Sequence, residues 1–186
     1  MIKPWKCIRS KVTESFRIFS IRTDTTLSPR TGKEHDFYII ESADWINIIP
    51  ITEDQQVVMV RQYRHGSREV TLEIPGGLMD PGDSPEKAAS RELLEETGYQ
   101  SEDWGKIANV NPNPAIFSNR CHTFVARNVK KTSDPKPDQT EDLEVVLVPL
   151  SKIPELIRKG TIDHAIVIAA FYHYSLAIKG AAVLQY

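Results

Sequence analysis

From Gly76 to Tyr99 the chain reads GGLMDPGDSPEKAASRELLEETGY: a glycine pair, a short acidic loop and the outline of a helix. Ser84 suits the N-cap, where its hydroxyl can accept from the first free backbone N–H groups. Pro85 fits the first helical position, and Glu86 falls in the first turn, where the helix dipole favours negative charge. Ala88, Ala89, Leu93 and Leu94 supply an apolar side, and Gly98 reads as the left-handed terminator. Glu92 and Glu96 are four apart and stack on one helical face, with Glu95 beside them. Like charges so placed weaken a bare helix. A hard divalent cation reverses that cost, because Mg²⁺ and Mn²⁺ take carboxylate and carbonyl oxygens.

The same spacing resembles the signature box of the Nudix hydrolases, G-x5-E-x7-R-E-U-x-E-E-x-G-U, with U a bulky apolar residue. Gly77 opens the box, Arg91, Glu92 and Leu93 follow at the right distance, and Glu95, Glu96, Gly98 and Tyr99 close it. Two places depart from the pattern. The first glutamate is Asp83, one methylene shorter, and the last apolar place holds Tyr99. The resemblance implies an α/β/α sandwich around a mixed sheet. It implies a cofactor, Mg²⁺ or alternatively Mn²⁺, held by Glu92, Glu95, Glu96 and the Gly76 carbonyl. Gly77 would let the backbone turn close to the ion without a Cβ in the way. Arg91 is expected to orient a glutamate by a bidentate bond.

Around this box the chain is strand-rich. Residues 5–24 and 36–41 read as strands about a turn at 27–34, giving an antiparallel hairpin or meander. Residues 45–51 and 56–63 are β-branched, apolar runs that read as core strands. Further strands are expected at 70–74, 105–110, 121–129 and 142–150, with an exposed loop at 130–140. A helix beginning at Ser151 and another over about 163–179 complete the chain. Strands and helices do not alternate, so the class is α+β. The expected division is an N-terminal β-subdomain, 1–42, and a Nudix domain, 43–186. By resemblance to the nucleoside-diphosphate-sugar branch, the subdomain builds a homodimer and part of the substrate site.

The substrate reading rests on Arg61-Gln62-Tyr63-Arg64 followed by Leu72-Glu73-Ile74-Pro75-Gly76-Gly77. This resembles the ADP-ribose and nucleotide-sugar pyrophosphatases, in which the arginine matching Arg64 reaches phosphate or the terminal ribose and the glutamate matching Glu73 lines the site. A guanidinium suits phosphate because its planar fork binds bidentately. Arg61 shares the stretch. Phe37, Tyr38 and Trp45 are the aromatic faces available to adenine, although core packing is the ordinary fate of such residues. In the related enzymes a glutamate beyond the box activates the water. Glu141 and Glu144 are candidates, Glu141 leading because it sits on a loop, and Glu95 is a third.

The expected reaction is metal-dependent hydrolysis of the pyrophosphate bond of ADP-ribose or another nucleoside diphosphate sugar. Alternatives are another nucleoside diphosphate derivative or a non-catalytic nucleotide-sensing module. A net charge of −2 on 186 residues gives no basic surface for nucleic acid. No apolar run approaches a membrane span of about 20 residues. Two distant cysteines, Cys7 and Cys121, point away from a disulfide scaffold and toward a cytoplasmic protein.

Overall fold

The computed structural model describes residues 1–138 and 141–183 and divides them into two units. One unit comprises residues 1–44 with 111–120, the other 45–110 with 121–186.

In the first unit, β1 (Lys6–Ser15), β2 (Phe19–Leu27) and β3 (Glu34–Ser42) form an antiparallel meander. Polar side chains are matched across it. Ser10 Oγ donates to Asp24 at 2.6 Å and Thr25 Oγ1 to Asp36 at 2.6 Å, and Arg22 pairs with both Asp24 and Glu41. The segment 111–120 joins the same unit through backbone: Ile40 N–H donates to Ile116 O at 2.7 Å and Ser118 N–H returns to Ile40 O at 3.2 Å. All of β1 is exposed, and Trp5, Ile8, Val12, Phe16, Ile18, Phe37 and Tyr38 present apolar surface. Phe37 and Tyr38 are thus outside any core, against the ordinary expectation for aromatics. Trp5 meets the Phe37 ring edge-on at 5.5 Å.

The second unit is built on a mixed sheet. Its strands are β4 (Trp45–Ile51), β5 (Gln56–Arg64), β6 (Glu69–Glu73) and β7 (Gly76–Leu78), then, after helix α1 (Pro85–Thr97), β8 (Tyr99–Gln100), β9 (Asp103–Val110), β10 (Cys121–Arg127), β11 (Lys130–Lys131) and β12 (Leu143–Pro149). Helices α2 (Ile153–Arg158) and α3 (Ala165–Val183) follow. The main order is β12-β5-β4-β10-β9, with β6 on β5, β7 on β4, and β8 paired to β11 apart; β10 runs parallel to β4. Period-two alternation sends the central strands' side chains to two layers. Ile46, Ile48, Val58 and Phe124 pack with Ala88, Ala89 and Leu93 of α1. Ile49, Ile51, Met59 and Val125 pack with Ile153, Val167, Ala170 and Phe171 on the other side. The result is an α+β fold with helices on both faces of a mixed sheet.

α1 forms as its ends dictate. Ser84 Oγ accepts from Lys87 N–H at 3.2 Å, and Gly98 takes φ 74°, its N–H donating to Leu94 O. The last turn of a helix leaves carbonyls without partners. Here the segment after β11 supplies them: Thr132 and Ser133 N–H donate to Gly98 O, and Lys136 N–H donates to Glu95 O at 2.7 Å. The expected exposed loop at 130–140 is therefore pinned at its start to the end of α1. Gln139 and Thr140 of that loop lie outside the described residues. A Cβ on Gly98 would come within 2.1 Å of Ser133 O, besides forcing an L side chain into the left-handed region. Gly98→Ala is expected to cost at least about 2 kcal/mol in urea unfolding. Wild-type stability for that variant would refute the pinning.

Candidate active site

The glycine pair of β7 lies under the acidic face of α1. Gly76 N–H donates to Glu96 Oε2 at 3.0 Å. A Cβ on Gly77 would fall 2.7 Å from the Glu92 carboxyl carbon, and one on Gly76 would meet Ile46 O at 2.3 Å. Glycine at 77 lets the backbone approach the Glu92 carboxylate so closely, and glycine at 76 lets β7 lie tight against the β4 backbone.

Glu92 and Glu96 are both buried. Burial pushes the Glu92 carboxyl up to about 7; Arg91 opposes this, while Glu141 and Glu95 add to it. Burial likewise holds Glu96 well above the usual carboxylate range, against the Gly76 N–H and with further repulsion from Glu92 and Glu141. The charge of Glu141 is felt at both Glu92 and Glu96, while its N–H donates to Asp138 O and its carboxylate accepts from Asp138 N–H.

Arg91 Nη1 donates to Glu92 Oε1 at 2.9 Å and to Glu95 Oε2 at 3.0 Å. The contact is one nitrogen shared by two carboxylates, in place of the expected fork on one. Asp83, at the shortened place, pairs with Lys87 at 2.7 Å and lies 3.7 Å from Arg91 Nε. Its carboxylate therefore ends in the Arg91 network. Glu144 faces Arg61 across β12 and β5, Nη1 to Oε2 at 3.0 Å, as an exposed cross-strand pair.

Beside the glycines opens a cavity of about 690 Å³ whose wall includes Trp45, Asn47, Arg64, Thr71, Glu73 and His164. Glu73 is buried and accepts four hydrogen bonds. They come from Arg64 Nε at 2.7 Å, Arg64 Nη2 at 2.8 Å, Thr71 Oγ1 at 2.6 Å and His164 Nδ1 at 2.7 Å. Burial alone would raise this carboxyl, but the bonds from Arg64, His164 and Thr71 outweigh it and hold Glu73 well below the usual range. The structure brings Trp45, Arg64, Glu73 and Gly76 to one cavity; Phe37 belongs to the other unit. Sequence reasoning missed His164. It lies 91 positions from Glu73, and no spacing rule links two residues that far apart.

The donor set suits a divalent cation. Burial and mutual repulsion disfavour charge on Glu92 and Glu96 together, and a bound cation would relieve both. Among the described residues no three Asp, Glu, His or Cys side chains are grouped so as to hold a metal by themselves.

The NUDIX domain matches residues 42–171. The chain is 32% identical to the mouse ADP-sugar pyrophosphatase, over 84% of this chain and 80% of that protein. It is 30% identical to the ADP compounds hydrolase NudE of Escherichia coli K12, over 88% of each. A crystal structure of an ADP compounds hydrolase superposes with a TM-score of 0.84 over 97% of both chains at 23% identity, which supports the fold. With the domain matched over most of its length and the box glutamates gathered on α1 above the glycine turn, this chain belongs to the Nudix hydrolase family.

Proposed function

We propose that the chain hydrolyses the pyrophosphate bond of ADP-ribose or another nucleoside diphosphate sugar, releasing a nucleoside monophosphate and a sugar phosphate. The observation that carries this reading is the buried Glu92–Glu96 pair, whose mutual repulsion a bound cation would relieve while meeting a diphosphate. The relatives' names, ADP-sugar pyrophosphatase and ADP compounds hydrolase, supply the substrate class.

Glu92, Glu95, Glu96 and the Gly76 carbonyl would hold Mg²⁺, or Mn²⁺ in its place. When bound, the cation neutralises phosphate charge and polarises the phosphorus centre. Arg91 keeps Glu92 and Glu95 oriented. Arg64, fixed by Glu73 and within electrostatic reach of Glu96 and Glu141, offers its outer edge to phosphate. Glu141 is the favoured base, because its charge reaches Glu92 and Glu96 whereas Glu144 is engaged with Arg61. The Glu141 carboxylate takes a proton from the attacking water. The water oxygen bonds to phosphorus as the bridging P–O bond breaks, and the leaving phosphate departs with that electron pair.

A panel of ADP-ribose, other nucleotide sugars, diadenosine polyphosphates and NADH with Mg²⁺ tests the assignment. Turnover of ADP-ribose to AMP is expected, and failure on every nucleotide sugar would refute it. The exposed apolar side chains of the N-terminal unit further support a homodimer, with Phe37 as a stacking residue in the same reading. Light scattering at micromolar concentration should give twice the 21.1 kDa chain mass; a monomer would refute this. The sparse cysteine usage, Cys7 and Cys121, supports a cytoplasmic setting, and no helix among the described residues is long and apolar enough to cross a membrane.

A further inference from the structure

The four bonds on Glu73 settle what that residue can do. An ionised carboxylate has about four acceptor sites, and here Arg64 twice, Thr71 and His164 take them. Glu73 has little capacity left for a ligand. It is a positioning residue, and the groups it positions meet the cavity.

His164 is the informative one. Its Nδ1 stands 2.7 Å from an acceptor-only oxygen, so Nδ1 must carry the hydrogen. In the neutral ring that leaves Nε2 as a lone-pair acceptor. The His164 side chain is 35% exposed while Glu73 is 3% exposed, and His164 lines the open cavity. Nε2 has no partner among the described residues. Asn47, in the same wall, is buried and tied back by its Nδ2, which donates to Ile166 O at 3.3 Å. Arg64 Nη1 is the remaining donor. A wall with an acceptor seeking a hydrogen, beside an arginine and next to the acidic glutamates, suits a polyol attached to phosphate.

We infer that His164 Nε2 accepts a hydrogen bond from a sugar hydroxyl of the substrate, with Glu73 fixing the ring tautomer that makes it an acceptor. This rests on the proposed hydrolysis of nucleoside diphosphate sugars and names the residue that reads the sugar. The hydroxyl comes from the terminal sugar or from the nucleoside ribose.

The decisive variant is His164→Asn. Its amide can still donate to Glu73 in place of Nδ1, but nothing replaces Nε2. KM for ADP-ribose should rise roughly tenfold, the size of one hydrogen bond, with kcat within about twofold and an unchanged melting temperature. On ADP ethyl ester, which lacks the terminal sugar, or on the 2′,3′-dideoxyadenosine analogue of ADP-ribose, the penalty should vanish; which of them loses it identifies the ribose. A penalty equal on all three substrates, or full rescue by asparagine, overturns the inference. If the variant unfolds, the wild-type protein decides: the His164 ¹⁵Nε2 resonance should move upfield with ADP-ribose and stay put with the analogue lacking the hydroxyl. ADP-ribose that binds without moving that resonance overturns this inference alone, whereas ADP-ribose that neither binds nor reacts overturns the functional reading beneath it.

Discussion

Glu96→Gln should lower kcat for ADP-ribose by at least about 10³-fold while KM stays within about threefold, because one charge of the cation site is lost and the substrate contacts elsewhere remain. The same variant should be more stable than the wild type when metal is removed at pH 8. Burial raises the folded-state values of Glu92 and Glu96, so their contribution to stability is complete at acid pH and lost as pH rises. For Glu92 the loss spans 4.5 to about 7. Glutamine at position 96 removes a buried charge yet can still accept from Gly76 N–H. Its advantage in melting temperature should therefore shrink as pH falls, and millimolar Mg²⁺ should stabilise the wild type far more than the variant. Stability sacrificed for a charged site is a common trade in enzymes. Wild-type turnover in Glu96→Gln, or a variant less stable than the metal-free wild type at pH 8, would remove α1 from the metal site.

Glu73→Ala is the second large effect, with the opposite sign on stability. It strips Arg64, Thr71 and His164 of a common acceptor. Removing one partner of a buried ion pair costs about 3–5 kcal/mol, and Arg64 is half-exposed and can rehydrate, so about 2–3 kcal/mol is expected here. Because Glu73 is held below its unfolded value of 4.5, its stabilisation is present above that pH and fades as pH falls through the depressed folded value. Urea unfolding should show a gap between wild type and variant that is constant near neutrality and narrows in acid. Catalysis should suffer mainly through KM, as Arg64 and His164 lose their fixed orientation. A gap independent of pH down to strong acid would show that Glu73 contributes by packing alone.

Much of this was written locally. The helix at Pro85–Thr97 announces itself through Ser84, Pro85 and Gly98, and the clustering of Glu92, Glu95 and Glu96 follows from helical pitch. The central strands were legible because β-branched runs of seven to nine residues have few other uses. What spacing could not reveal involves partners far apart in the chain. Glu141 and Glu144 are three positions apart and alike in type. They are separated only because one follows a loop tied to the end of α1, while the other is locked to Arg61 by strand register. His164 is similar: nothing around it in sequence marks it.

The amino-acid order by itself determined the acidic helix, its caps, the glycine turn before it and the family they signal, because each depends on residues within a few positions of one another. The tertiary structure alone decided that Glu73 is a saturated buried acceptor, that His164 is its partner in the cavity wall, and that Glu144 pairs with Arg61. Those outcomes depend on which strand edges and loop ends are brought together. That is set by packing of the whole sheet and not by any local pattern.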